Sequence, residues 1–243
     1  VTGLVWGVEW RIALRRRRLL ALNVAIPLLL VLPVALGPAP PPHAAAVYVV
    51  LFILFGTFGA AIPLVRDARS GLLARIRGAG IAPASILLER SAASSLLDLC
   101  QLLPSAVAIW AASDASGFDG LPPLFALLGA LALSLTAANL VGLWIGVLAR
   151  SLAEAALFAA VAGLLLLHAS GVFRTPAPGS LGAHLEAVAP FRLLHEILLQ
   201  GLASSLHASH SPGLGPLAAA VFLGGLATAL GAGRALRATG ATP

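Results

Sequence analysis

The sequence predicts an all-α integral membrane protein with six transmembrane helices, an N-terminal interfacial helix and a re-entrant external segment before the last span. The first observation is composition: of 243 residues, 59% are hydrophobic and 10% charged, with a mean hydropathy of +0.99. That balance lies outside the range of soluble globular domains. The second is that the apolar residues gather into six stretches of spanning length. The third is that the arginines collect at alternate ends of those stretches.

A helix is the one single segment that satisfies its own backbone in lipid, and about 20 apolar residues cross a hydrocarbon core of about 30 Å. The six stretches run from Leu19 to Leu36, Ala44 to Val65, Ala92 to Ala112, Pro122 to Ala149, Leu152 to Val172 and Leu217 to Leu236. The first is read as a retained anchor, since no small-residue cleavage site precedes the proline cluster Pro38 to Pro42. That cluster reads as a short external turn. The fourth stretch is long enough to tilt, and only Arg150 and Ser151 separate it from the fifth.

All 15 basic residues are arginine, and against 9 acids they leave a formal net charge of +6. A nucleic-acid surface needs a solvated basic face interleaved with aromatics. These arginines lie between apolar runs and suit anionic lipid headgroups instead, so lipid is an expected partner and nucleic acid is not. Positive residues near spans are retained in the cytoplasm. An inside N-terminus places every arginine there except Arg174 and Arg192. A multi-pass protein of the cytoplasmic (inner) membrane follows, with both ends in the cytoplasm.

The whole chain, 1–243, reads as one transmembrane domain with three distinctive flanks. Residues 1–18 carry Trp6 and Trp10 one helical turn apart, then the run Arg15 to Arg18, which suits a helix lying in the interface. Residues 66–90 form the largest cytoplasmic connection. There charges flank short apolar stretches, Gly78 and Gly80 break a helix, and Pro83 restarts the chain, so one or two short helices joined by a turn are expected. In 173–215, Leu185, Val188, Phe191, Leu194, Ile197, Leu198 and Leu202 recur at helical spacing among polar residues, which predicts an amphipathic or re-entrant helix.

Several chemistries are excluded or weakened by residue type. A phosphate-binding loop of the Walker kind needs a lysine, and the chain has none. Cys100 is the only cysteine, so no internal disulfide forms; it is expected to pack as a small apolar residue. His207 and His210 have metal-ligand spacing but no carboxylate or cysteine beside them to complete a site. His168, Ser170 and Gly171 bring an intramembrane serine protease to mind, but the glycine that precedes the nucleophile there is missing.

Ionisable residues inside spans are costly and mark candidate functional positions. Asp98 and Gln101 share one face of the third span; Asp98 is expected to line a polar path, to pair with an arginine, or to hold helices together. Glu154 lies near one end of the fifth span. Asn23 is expected to make a packing hydrogen bond, and Gly142 with Gly146 forms a small-xxx-small pattern that admits a neighbouring helix.

The order of parts resembles the permease subunit of type-2 ABC exporters. Arg66, Asp67, Gly71 and Leu73 are similar to that family's basic-acidic pair followed by Gly and Leu after the second span. Pro83, Glu89 and Arg90 fall where the family leads into its third span. Ser170, Gly171, Phe173 and Pro176, then Pro190 with Phe191, are similar to its small-Gly-aromatic-Pro stretch and later Pro-aromatic pair. Two departures are Leu72, where a threonine or serine is usual, and Asp67 in place of Glu.

The resemblance implies an export permease that forms its pathway as a dimer, with a second copy or a related permease. It implies coupling to a cytoplasmic ABC ATPase subunit, which would hold ATP and Mg; no cofactor is expected in this chain. The coupling set is then Arg66, Asp67, Arg69, Gly71, Arg75, Arg77, Gly78, Glu89 and Arg90, with Asp98 and Gln101 on the transport pathway. Apolar spans suit a hydrophobic or amphiphilic cargo such as a drug or lipid-linked molecule. A non-transporting membrane scaffold or an intramembrane enzyme is the alternative reading.

Overall fold

The computed structural model describes residues 4–112, 121–173, 177, 179–202 and 215–238. Ten helices follow one another among them: α1 (Leu4–Arg15), α2 (Arg17–Leu36), α3 (Pro41–Arg69), α4 (Leu72–Gly78), α5 (Pro83–Ala112), α6 (Leu121–Leu148), α7 (Leu152–Ala169), α8 (Leu181–Val188), α9 (Pro190–Leu202) and α10 (Gly215–Ala238). All-helical architecture is what a bilayer requires of a chain this apolar. Five helices are long and apolar enough to cross a membrane: α2, α3, α5, α6 from Leu127 onward, and α7; the described apolar part of α10 is the shorter Ala218–Arg234.

The centre of the bundle is α3 laid against α6, and small residues allow the approach. A Cβ on Gly142 would run into the Thr57 carbonyl, one on Gly146 would meet the Ala61 oxygen at 3.0 Å, and one on Gly56 would lie 2.7 Å from the Ala138 Cβ. The expected small-xxx-small contact is therefore real, and its partner is α3. Around this pair, α5 and α7 pack on α3, and α10 packs on α5 and α6. Helices α2 and α7 lie at the edge and turn Leu29, Leu30, Leu164 and Leu165 outward, as lipid-facing positions do.

Two buried clusters hold the ends together. At the end away from α4, Tyr48, Phe52, Ile109, Leu127, Phe191, Leu194 and Leu198 join α3, α5, α6 and α9. At the α4 end, Leu64, Leu73, Ile86, Leu87, Leu143 and Leu236 join α3, α4, α5, α6 and α10.

The boundaries correct several expectations. The 66–90 connection is much shorter than expected: α3 runs on to Arg69 and α5 begins at Pro83, so only 70–82 lie outside long helices. The interfacial helix ends at Arg15, with Arg16 (φ −91°, ψ 55°) breaking it from α2 inside the arginine run. The periodic run after the fifth span is two helices, because Ala189 is extended ahead of Pro190. Cys100 is exposed rather than packed. Arg150 and Ser151 do form the sixth–seventh helix break: Ser151 Oγ accepts from the Glu154 N–H (3.1 Å), and the Glu154 carboxylate accepts from the Arg150 N–H (2.7 Å). This is a close variant of the capping box and gives Glu154 a structural role.

Candidate functional site: a clipped turn and the cavity beside it

The turn between α3 and α4 follows from local chemistry. The Ser70 N–H returns to the Arg66 carbonyl and the Gly71 N–H to Ala68, closing α3. Gly71 then takes φ +70°, a left-handed conformation that side chains resist. Helix α4 is two turns long and held to the bundle by Leu73, which is fully buried in the α4-end cluster. Arg69, Arg75 and Gly78 are exposed beside it. Gly80, at φ +81°, and Pro83 redirect the chain into α5.

Beneath this turn lies a buried ion-pair cluster. Arg90 of α5 is 1% exposed. Its Nη2 donates to Asp67 Oδ2 of α3 at 2.6 Å and lies 3.1 Å from Glu9 Oε1 of α1. Asp67 Oδ1 also accepts from Arg66 Nε at 2.8 Å. Charges taken out of water persist only when paired and hydrogen-bonded. The cluster thus fastens both ends of the α3–α4–α5 turn to each other and to α1, whose Trp6 and Trp10 rings stand 6.4 Å apart.

Further into the bundle, a cavity of about 160 Å³ opens between α1, α2, α3 and α5. Its polar wall includes Arg16, Asn23, Arg66, Ser94, Asp98 and Gln101, and its apolar wall includes Leu19, Leu20, Pro63 and Leu97. Asp98 and Gln101 are both 6% exposed. Asn139 of α6 donates to Asp98 Oδ2 at 3.0 Å, and the other face of the carboxyl lies against Gly59, where a Cβ would be 2.9 Å from Oδ2. A second cleft of about 340 Å³, lined by Arg15, Arg16, Arg66, Asp67, Ser70 and Arg75, lies outside the ion-pair cluster.

Residues 2–195 match the family described as ABC-2 type transporter, covering α1 to the first half of α9. The chain belongs to that family. It is a multi-pass transporter permease subunit. No curated protein matches the chain.

In this ABC-2 permease the expected coupling residues separate into two groups. Arg66, Asp67 and Arg90 come together in the buried cluster, while Arg69, Gly71, Arg75, Arg77, Gly78 and Glu89 sit on or beside the turn above it. The Arg75 guanidinium reaches back only to the Ser70 carbonyl, at 3.5 Å. Asp98 and Gln101 both line the cavity, and among the described residues no arginine pairs with Asp98. Asn23 lines the same cavity. Ser170 is buried and donates to its own helix at Leu166, 2.6 Å away, as a packing serine does. Arg174, Pro176, His207 and His210 lie outside the described residues.

Three residues of the ion-pair cluster and the cavity wall escaped the sequence reading. Glu9 is the one acid before Asp67, a lone carboxylate among arginines, and that isolation was its signal. Asn139 is the one amide in a span whose other polar side chains are Ser134 and Thr136, and such an amide commonly marks an interhelical hydrogen bond. Gly59 carried no signal, because its role is to leave room for Asp98.

Proposed function

We propose that this permease is the membrane subunit of an ATP-driven exporter, with two permease copies forming the pathway and a separate cytoplasmic ATPase engaging α4. The observation that carries the reading is the position of α4. It exposes Arg75 at the end of the bundle while its base is fastened through Arg90 to Asp67 and Glu9. A force on α4 therefore reaches α1, α3 and α5 together. ATP-driven closure shifts the spans only by making different contacts with α4 in the two states. The α4 end is the cytoplasmic one, since Arg11, Arg15 to Arg18, Arg66, Arg69, Arg75, Arg77, Arg90 and Arg150 gather there. ATP and Mg belong to the partner subunit, and the cargo is hydrophobic or amphiphilic.

The test is co-purification of the tagged chain from detergent-solubilised membranes, with ATP hydrolysis and export assayed together. Wild type brings down a nucleotide-binding subunit. The Arg75→Glu/Arg77→Glu double variant inserts normally but loses export. Unchanged export in that variant, or a wild-type chain that purifies without an ATPase under conditions that preserve a known transporter complex, refutes the reading.

A further inference from the structure

The cleft outside the ion-pair cluster is lined almost entirely by charge of one sign. Its walls come from three elements, and each contributes residues at helical spacing. Ile12, Arg15 and Arg16 come from the end of α1 and the break after it; Arg66, Asp67 and Ser70 from the end of α3 and its cap; Leu72 and Arg75 from α4. Four arginines thus surround about 340 Å³ of space against a single carboxylate.

That carboxylate is already committed: Asp67 Oδ1 accepts from Arg66 Nε and Oδ2 from Arg90 Nη2. The arginines are far less so. Arg15 and Arg16 are exposed and make no ion pair among the described residues. Arg75 reaches only the Ser70 carbonyl, at 3.5 Å. Arg66 gives its Nε to Asp67 and keeps a third of its side chain exposed. Like charges gathered around one opening repel each other until a counter-ion answers them.

Two further features set this opening at the membrane surface. Helix α1 carries Trp6 and Trp10, the anchors of an interfacial helix. Apolar surface also resumes at once, since Leu14 and Leu19, within three residues of the arginine pair, are both exposed.

We infer that this cleft binds the phosphate of an anionic phospholipid, held between Arg15 and Arg16 on one side and Arg66 and Arg75 on the other, with its acyl chains leaving along Leu14 and Leu19. A phosphodiester carries a full negative charge and presents its free oxygens to planar guanidinium forks. A cavity of about 150 Å³ holds a benzene ring, so the larger cleft here has room for the phosphate and an adjoining glycerol. Ile12 and Leu72 supply apolar contact beside it. The bound phosphate bridges α1 to α4, whereas the Glu9 to Arg90 pair ties α1 to α5. The site goes beyond the exporter reading and does not rest on it.

The experiment is fluorescence titration of the purified full chain in neutral-detergent micelles, with no ATPase or nucleotide present. The probes are acyl-labelled phosphatidylglycerol and phosphatidylcholine with the same chains, with water-soluble glycerol 3-phosphate as competitor. Wild type is expected to bind phosphatidylglycerol at least about tenfold more tightly than phosphatidylcholine, the scale of one charge-assisted hydrogen bond. That preference should weaken as salt is raised, and excess glycerol 3-phosphate should leave the lipid bound. Arg15→Gln/Arg16→Gln and Arg75→Gln, from opposite walls, should each shrink it severalfold. Arg17→Gln/Arg18→Gln removes the same charge from the same run but off the cleft, and should keep most of the preference. If a double variant does not fold, Arg75→Gln decides against Arg69→Gln, an exposed arginine off the cleft. Equal affinity for the two lipids in wild type, or equal losses in cleft and off-cleft variants, overturns the inference. Displacement by glycerol 3-phosphate would assign the cleft to free phosphates and overturn its lipid occupant. None of these outcomes bears on engagement of α4 by an ATPase, which co-purification tests separately.

Discussion

Replacing Arg90 with glutamine leaves two carboxylates without the guanidinium they share. The side chains of Arg90, Asp67 and Glu9 are 2%, 5% and 12% exposed, so water screens none of them well. Removing one member of a buried pair costs about 3–5 kcal/mol, chiefly because the other charge stays buried and unpaired. Asp67 keeps Arg66 at 2.8 Å, whereas Glu9 has no second ion pair among the described residues. The loss should therefore fall first on the docking of α1. Glu9→Gln alone removes only the longer, 3.1 Å contact and should cost about 1.5 kcal/mol, the lower end for a hydrogen bond to a charged group. In the Arg90→Gln background it should cost almost nothing. The assay is SDS-driven unfolding of the purified chain in mixed micelles, run as a double-mutant cycle. An Arg90→Gln cost within about 0.5 kcal/mol of zero, as for an ordinary surface substitution, refutes the argument.

Packing of α3 on α6 makes Gly142→Val a core overpacking variant: its side chain meets the Thr57 carbonyl, and stability should fall by about 1–3 kcal/mol in the same unfolding assay. Gly71→Ala meets no atom, yet it must adopt φ +70°, so it should cost on the order of 1 kcal/mol through backbone strain alone. Burial holds the His195 imidazole below the usual 6.5, with neighbouring Glu196 opposing the shift. Below about pH 6.5 the unfolded chain then binds the proton more readily than the folded one, so stability is full at neutral pH and declines on acidification. Thermal midpoints at pH 7 and pH 5 should show that decline in wild type and a smaller one in His195→Phe; equal declines count against it. Arg192 and Glu186, which lie near Glu196, should be held constant in that comparison.

Hydropathy made five of the six expected spans legible as long apolar helices, because lipid admits few alternatives to an apolar helix. Helix ends were harder. Sequence reading ended the second span at Val65 because Arg66 and Asp67 are charged, yet α3 continues to Arg69, since those charges neutralise one another and Arg90. For the same reason α5 starts at Pro83 rather than Ala92, with Arg90 inside the helix. A charge in a hydropathy profile marks the edge of a span only if it is solvated, and pairing is a property of the fold. Asp98 and Gln101 were visible as costly residues on one helix face, but their partners come from α3 and α6, at sequence separations that no local pattern records.

The same eight-residue step separates Asp67 from Gly59 and Arg90 from Asp98, so α3 and α5 are joined like the rails of a ladder with rungs at two depths. Those rungs determine which residues face each other, and the string between the rails does not. A residue inserted between Ala79 and Ala82 lengthens the string and leaves both rungs aligned. A residue deleted between Arg90 and Asp98 turns the upper part of α5 by about 100°, swinging Asp98 away from Gly59 and Asn139. Variation in length is thus tolerated in the exposed bend and forbidden between the two rungs, so the end of the bundle that carries α4 can be reshaped without turning Asp98 out of its place deeper in α5.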